Sequence, residues 1–251
     1  MKRRITYMCF IVLLTITLIM TLTLGILRRN KLKLENKKDY DIWMQSKTSP
    51  DPNDNLIFYK KLKNKQNVNI LVLGDDLALS KGKSETHPGW LNLLVYYVES
   101  SFGNKTYLQS LAQNGDTIVE GKNIVSSNPN LENFDLIITC FGKNDSINKL
   151  PLASFTQNYT ELIQTLKYKN PNCIILFMLP NTLSENNIYR DEIQNIANNN
   201  NLKCIDMLTQ FKNSKVELSN LVNNDIPNDN GYNLYAVTLN DIIQNEVSKL
   251  K

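Results

Sequence analysis

The sequence predicts an α/β fold in which a mostly parallel sheet lies between two layers of helices, a three-layer sandwich. Two observations lead to this expectation. Short apolar runs rich in β-branched residues recur along residues 68–206, and continuous runs of this kind are typical of strands buried on both faces. The segments between the runs are long enough for helices, and alternating strands and helices are typical of a parallel sheet covered on both sides.

The predicted strands and helices alternate along a single domain. Five segments are predicted as strands: Val68–Leu73, Lys105–Leu111, Asp135–Cys140, Cys173–Met178 and Leu202–Asp206. Four segments are predicted as helices: Trp90–Ser100, Leu152–Lys169, Asn187–Asn199 and Asn230–Lys249. In open sheets of this kind, binding sites form at the carboxyl ends of the strands. We therefore expect the functional residues in the loops that follow the strands.

An apolar segment near the N-terminus predicts a transmembrane helix. Residues 5–27 contain no charged side chain, and at about 1.5 Å per residue a helix of this length spans a hydrocarbon core of roughly 30 Å. A cleaved signal peptide usually has a shorter apolar stretch followed by small residues, so an uncleaved anchor is favoured. Basic residues flank both ends. We expect the domain outside the cytoplasm, because long domains are translocated largely regardless of charge.

The rest of the chain divides around this anchor. Residues 1–4 form a short basic N-terminus, residues 28–66 a polar stalk or linker, and residues 67–251 the α/β domain. Within the stalk, the segment 56–62 is expected to be a short element at the domain edge. Nine of the 28 Lys and Arg residues lie within residues 1–44. The domain itself therefore has no basic excess that would indicate nucleic-acid binding.

The four cysteines and the single histidine limit the chemistry. Three cysteines lie in predicted strands and one in the apolar N-terminal segment, so we interpret them as small buried side chains. Their spacing matches no zinc or redox motif. One histidine excludes zinc sites with several histidines, and any Ser-His-Asp catalyst has to use His87. We expect no metal and no cofactor.

Four segments rich in Gly, Asp and Asn converge on one edge of the predicted sheet. They are Gly74-Asp75-Asp76-Leu77, Asn114-Gly115-Asp116-Thr117, Gly142-Lys143-Asn144-Asp145 and, before the last helix, residues 223–232. In this order they resemble the motifs of the SGNH, or GDSL, hydrolase family of lipases, esterases and acylhydrolases. The resemblance covers about residues 68–249. It implies the flavodoxin-like three-layer sandwich of that family and, as its activity, ester hydrolysis.

The catalytic residues that the resemblance implies are replaced in this sequence. The family's first motif reads G-D-S-L and its last D-x-x-H, and the positions matching the serine, the histidine and the aspartate are here Asp76, Ile226 and Asn223. Serine attack needs a base to accept its proton and a third group to orient that base. Because isoleucine cannot accept a proton, we expect ordinary esterase activity to be absent or very low.

The resemblance also implies an oxyanion hole. Its donors would be the backbone N–H of Gly115 and the side-chain amide of Asn144, and the negative charge of Asp76 would oppose an oxyanion beside them. Four further residues support the motifs: Gly74, Asp75, Gly142 and Asp145. For all of these, a structural role is the alternative interpretation, because Asp residues cap helices and Gly residues permit tight turns.

Two other arrangements could supply chemistry. Ser84 and His87 follow the first motif and could form a nucleophile–base pair, although a solvated loop histidine is the simpler interpretation. Asp225 is one position from the expected histidine, and together with Asp76 it could bind a cation or share a proton. Caps and surface charges are the simpler interpretation of these carboxylates.

The favoured interpretation is a membrane-anchored domain, held outside the cytoplasm by residues 5–27, that binds an acyl ester or an acetylated glycan without hydrolysing it. One alternative is an active ester hydrolase with an unconventional catalytic arrangement. The other is a membrane scaffold whose surface contacts protein partners.

Overall fold

The computed structural model describes residues 14–17, 19–28, 31, 56–128 and 130–250. The chain divides into two compact units, Met1–Ser49 and Pro50–Lys251. In the first unit, the described residues 14–17 and 19–28 are helical. Among the described residues, no helix combines the length and the hydropathy needed to cross a membrane. Part of the predicted anchor and most of the predicted stalk lie outside the described residues.

The second unit is built on a five-stranded parallel sheet. Its strands are β1 (Val68–Gly74), β2 (Thr106–Ser110), β3 (Leu136–Cys140), β4 (Ile174–Leu179) and β5 (Lys203–Asp206). They lie in the order β2-β1-β3-β4-β5, and all four pairings are parallel. This is the flavodoxin-like order of doubly wound folds. The predicted fold class is confirmed, and each predicted strand agrees with the structure to within one residue at either end.

Eight helices of this unit are labelled in chain order: α1 (Ile57–Lys63), α2 (Trp90–Phe102), α3 (Ile118–Ser127), α4 (Lys143–Ile147), α5 (Leu152–Lys169), α6 (Ile188–Asn199), α7 (Met207–Asn213) and α8 (Asp229–Ser248). A short hairpin of β6 (Val222–Asn223) and β7 (Ile226–Pro227) precedes α8. The sequence predicts α2, α5, α6 and α8, but not α3, α4 or α7.

The helices cover both faces of the sheet. Because successive side chains of a strand point to opposite faces, Val68, Ile70 and Val72 of β1 pack with α1, α2 and α8. Leu71 and Leu73 pack on the other face with α3, α5 and α6. Both faces are apolar, which explains why the strands appear in the sequence as continuous apolar runs.

The register of the sheet places the candidate loops side by side. Gly74, the last residue of β1, is paired with Cys140, the last residue of β3. Val72 of β1 is paired with Ser110, the last residue of β2. The loops after β1, β2 and β3 therefore leave the same edge of the sheet as direct neighbours.

Helix α1 belongs to the packed core although it lies within the predicted stalk. Phe58 and Leu62 are buried in the layer formed with α2 and α8, and Leu56 packs against the same cluster. The packing of the α/β domain therefore includes, from about residue 56, the segment that the sequence predicts as a short element at the domain edge.

We predict that Phe58→Ala destabilises the α/β domain by about 3–5 kcal/mol, because it removes a fully buried aromatic ring. The measurement is urea unfolding of the full chain in a Trp43→Phe background, so that the fluorescence reports Trp90, which is buried in the same cluster. Lys60→Ala, on the exposed face of the same helix, is the control and should change the free energy of unfolding by less than about 0.5 kcal/mol. Equal effects of the two variants would show that α1 is not part of the core.

Candidate functional site

The loop after β1 carries Asp76, whose carboxylate is the centre of a cluster of polar contacts. One oxygen, Oδ1, accepts a hydrogen bond from the backbone N–H of Gly115 at 2.8 Å. The other, Oδ2, accepts from Nζ of Lys143 at 2.9 Å and from Nζ of Lys81 at 3.2 Å. Because the Asp76 side chain is only 4% exposed, these donors replace the water that would surround an exposed carboxylate.

The same contacts keep Asp76 ionised. Burial alone would raise the pKa of its carboxyl, but the hydrogen bonds from Lys143, Gly115 and Lys81 outweigh burial and hold the pKa below its ordinary value. At neutral pH the group is therefore an anion between two ammonium groups. An anion in this position repels any negative charge that develops next to it.

Gly115 follows β2 in the loop that leads to α3. Its φ angle is +87°, a conformation that favours glycine because it has no Cβ atom. This conformation accompanies the hydrogen bond from its N–H to Asp76. The donor that the family resemblance assigns to an oxyanion thus binds a carboxylate of the chain itself.

Asn144 is the second residue of α4 and is almost completely buried. Its side-chain Nδ2 donates a hydrogen bond to the backbone carbonyl oxygen of Asp116 at 3.0 Å. Both donors of the implied oxyanion hole therefore have partners within the chain, Gly115 at Asp76 and Asn144 at Asp116.

Gly74 and Asp75 shape the loop that carries Asp76. A Cβ atom on Gly74 would lie 2.7 Å from the carbonyl oxygen of Cys140, so a side chain does not fit at the end of β1. Asp75 is buried, and its Oδ1 accepts a hydrogen bond from the N–H of Leu77 at 2.9 Å. Burial raises the pKa of Asp75 to about 7. Its carboxyl therefore changes protonation near neutral pH.

Asp145 connects two loops of the site. Its Oδ1 accepts a hydrogen bond from the N–H of Ile118, at the start of α3, at 3.0 Å. Its Oδ2 accepts from the N–H of Gly142, just before α4, at 3.1 Å. Burial raises the pKa of Asp145 to about 6. The third motif therefore fixes the loop after β3 to the helix that follows Gly115.

The two other positions that the resemblance matches to the triad lie in the hairpin before α8, where Asn223 and Ile226 are paired with each other. A Cβ atom on Gly82 would lie 2.8 Å from Cγ2 of Ile226. The position that matches the family's histidine is therefore next to the loop that follows β1, but it presents an apolar side chain there. Asn223 is exposed.

Ser84 and His87 do not form the nucleophile–base pair considered from the sequence. The hydroxyl Oγ of Ser84 donates a hydrogen bond to Oδ2 of Asp229 at 2.7 Å. Nδ1 of His87 accepts one from the N–H of Gly89 at 3.1 Å. The hydroxyl is thus bonded to a carboxylate, and this imidazole nitrogen is bonded to the backbone.

Asp225 is not among the hydrogen-bond or ion-pair partners of the Asp76 carboxylate, which are Gly115, Lys81 and Lys143. Asp225 is exposed, and its backbone carbonyl oxygen accepts a hydrogen bond from Nδ2 of Asn181 at 3.3 Å. Within the part of the chain that the structure describes, no group of three or more His, Cys, Asp or Glu side chains could hold a metal ion.

Sequence reasoning does not single out Lys81 and Lys143. The sequence contains one signal for Lys143. A buried carboxylate needs opposite charges nearby, and Lys143 is the basic residue within the third motif. What the sequence lacks is the pairing of β1 with β3, which brings the loops of Asp76 and Lys143 together.

Comparison with known families agrees with the four motifs. The model of the GDSL-like lipase/acylhydrolase family matches residues 72–234. The chain belongs to this family. The matched residues include all four motif segments, from Gly74 to Tyr232, so the resemblance seen in the sequence is confirmed. No curated protein sequence matches the chain.

Solved structures with the same fold include several hydrolases. A lipase from a goat rumen metagenome has a TM-score of 0.56 at 16% identity, covering 69% of this chain and 96% of that chain. A lipase/acylhydrolase from Enterococcus faecalis has a TM-score of 0.56 at 18% identity, covering 73% and 97%. A two-domain esterase active on acetylated mannans has a TM-score of 0.65 at 17% identity, covering 77% of this chain and 54% of that chain. At these identities the likeness concerns the fold.

We predict that Lys143→Met destabilises the domain by about 3 kcal/mol at pH 7, because it leaves a buried carboxylate with one ammonium partner instead of two. Lys81→Met is the matched control, and it should cost at most about 1 kcal/mol because its side chain is 51% exposed. Urea unfolding measures both.

The pH dependence of this effect follows from the lowered pKa of Asp76. A lowered carboxyl pKa contributes stability that is present above the unfolded-state value of about 4 and is lost as the pH falls through the folded-state value. The difference between Lys143→Met and the wild type should therefore shrink in acid. A difference that stays constant down to the acid limit would contradict an electrostatic origin.

Proposed function

We propose that this chain is a non-catalytic member of the GDSL-like family, tethered to the membrane by residues 5–27 with its domain outside the cytoplasm. Its role is to bind an acyl ester or an acetylated glycan at the cell envelope. The observation that carries the proposal is the Asp76 carboxylate at the nucleophile position, bonded to Gly115, Lys81 and Lys143.

The chemistry of these residues supports a site without turnover. A carboxylate that attacked an ester would form an anhydride, and releasing the product would require an activated water molecule. The position of the family's base is Ile226, which cannot activate water. The Asp76 oxygens are also engaged by two ammonium groups and one backbone N–H, and each of these contacts lowers their nucleophilicity.

The exposed groups near Asp76 favour a polar ligand. Lys81 is half exposed, and its Nζ also bonds to Oδ1 of Asn114 at 3.1 Å. Asn114 is itself exposed. Ammonium and amide groups bind hydroxyl and carbonyl oxygens, which glycans and acetyl groups offer. The esterase with the same fold that is active on acetylated mannans agrees with a ligand of this class.

The first test of the proposal is ester hydrolysis. The full chain should turn over p-nitrophenyl acetate no faster than buffer, because no base serves the nucleophile position. The triple variant Asp76→Ser, Asn223→Asp, Ile226→His restores the three family residues, and we expect a rate at least about 100-fold above the wild type, the usual contribution of a positioned base.

The matched control keeps Ile226 and carries only Asp76→Ser and Asn223→Asp, and it should remain silent. Turnover by the wild type that disappears in Asp76→Ala would contradict the proposal and make Asp76 a catalytic residue.

The second test is glycan binding. In native gels that contain acetylated mannan, the full chain should migrate more slowly than in gels with the same mannan after alkaline deacetylation. Lys81→Met should lose at least about half of this retardation, because the half-exposed ammonium offers a charge-assisted hydrogen bond to the ligand. Equal migration in both gels would remove acetylated mannan as a ligand.

A further inference from the structure

Three donors converge on the two oxygens of Asp76. The N–H of Gly115 binds Oδ1, while Nζ of Lys143 and Nζ of Lys81 bind Oδ2. Donors placed on both oxygens of a carboxylate recognise that group on any molecule that carries it. We infer that Gly115, Lys81 and Lys143 form a carboxylate-binding site, which the chain fills with its own Asp76.

The charges of the site favour an anion over a neutral group. The ammonium groups of Lys81 and Lys143 both bind the carboxylate of Asp76, so removing Asp76 leaves both without this anion. The carboxyls of Asp75 and Asp116, which both interact electrostatically with Asp76, are buried, and burial raises the pKa of both, that of Asp75 to about 7. They therefore offset the positive charge less than exposed carboxylates would.

Two of the three donor residues are exposed to solvent. The backbone of Gly115 is exposed and the Lys81 side chain is 51% exposed, whereas that of Lys143 is 11% exposed. In the proposed site, a ligand carboxylate would therefore enter on the side of Gly115 and Lys81, the two exposed donors. Truncating Asp76 to alanine vacates the volume of one carboxylate, which is the size of a formate ion.

In the wild type, an external carboxylate competes with Asp76 for the same donors. Asp76 is held next to them by the chain, so its effective concentration far exceeds that of a dissolved ligand. A natural ligand must therefore make further contacts to displace it. Here the inference rests on the proposed function and narrows it, because the envelope ligand would carry a carboxylate, as acidic sugars do.

The test uses formate as the probe and the full chain in four forms: wild type, Asp76→Ala, Asp76→Asn, and Asp76→Ala with Lys143→Met. All four forms carry Trp43→Phe, so that the fluorescence reports Trp90, and the midpoint of thermal unfolding is followed while formate replaces chloride at constant ionic strength. A ligand that binds only the folded state raises this midpoint in a saturable way. Asp76→Asn is the matched control, because it removes the charge of Asp76 but keeps its volume.

We expect formate to stabilise Asp76→Ala with a dissociation constant at least about 100-fold lower than for the wild type or Asp76→Asn, in which the site stays filled. Adding Lys143→Met should weaken formate binding at least about tenfold, as expected for the loss of a charge-assisted hydrogen bond. Acetamide, which is neutral, should have no effect on any form.

Three results would overturn the inference: a response of Asp76→Ala to formate no larger than to chloride, an equal response of Asp76→Asn, or unchanged binding after Lys143→Met. If Asp76→Ala is unfolded in chloride, folding restored by formate supports the site. If formate does not restore it, the same titration on Asp76→Ser decides, and absence of formate binding there overturns the inference. The hydrolysis test measures turnover of an ester and not formate binding, so failure of the proposed function and failure of this inference are distinguishable.

Discussion

The Asp76 carboxylate connects three loops at the carboxyl edge of the sheet. It belongs to the loop after β1, and it binds Gly115 in the loop after β2 and Lys143 in the turn after β3. A buried anion without partners is costly, so the residues of both neighbouring loops have to supply donors to it. The positive φ angle of Gly115 and the position of Lys143 at the start of α4 are parts of this arrangement. These contacts between the three loops balance the negative charge of Asp76.

A second set of contacts holds the same loops without involving the triad positions. Asp145 receives N–H groups from Gly142 and from Ile118, and Asp75 receives one from Leu77. The acceptors of these hydrogen bonds are the carboxyl groups of Asp145 and Asp75, so the bonds do not depend on which residue stands at position 76. The motifs and the fold of the family are therefore compatible with the proposed replacement of its serine, histidine and aspartate. Position in a motif and chemical role are separate properties of these residues.

The strands, the helices and the contacts of the candidate site differ in how well the sequence predicts them. The strands are predictable because burial on both faces produces continuous apolar runs. The sequence analysis does not predict helix α3, although Thr117 and Glu120 form a capping box in which the Thr117 N–H donates to the Glu120 carboxylate at 2.9 Å. The spacing of these two residues is a sequence signal for the start of a helix. The motif segments indicated the correct edge of the sheet. The role of Lys143 could not be predicted, because its contact with Asp76 depends on the pairing of β1 with β3.

The charge at position 76 and the absence of charge at position 226 together determine which residues balance the site. Ile226 lies next to Gly82 in the loop after β1 and brings no charge to the site, so the Asp76 anion is balanced from the other elements, by Lys81 and Lys143. Replacing Asp76 by serine alone would restore a hydroxyl but leave Lys143, whose side chain is 11% exposed, without the anion that it binds. An unpaired cation in such a place costs free energy, unless an anion replaces the carboxylate. Under the proposed function, an active hydrolase would therefore differ from this chain in the charge balance of the site as well as in three side chains.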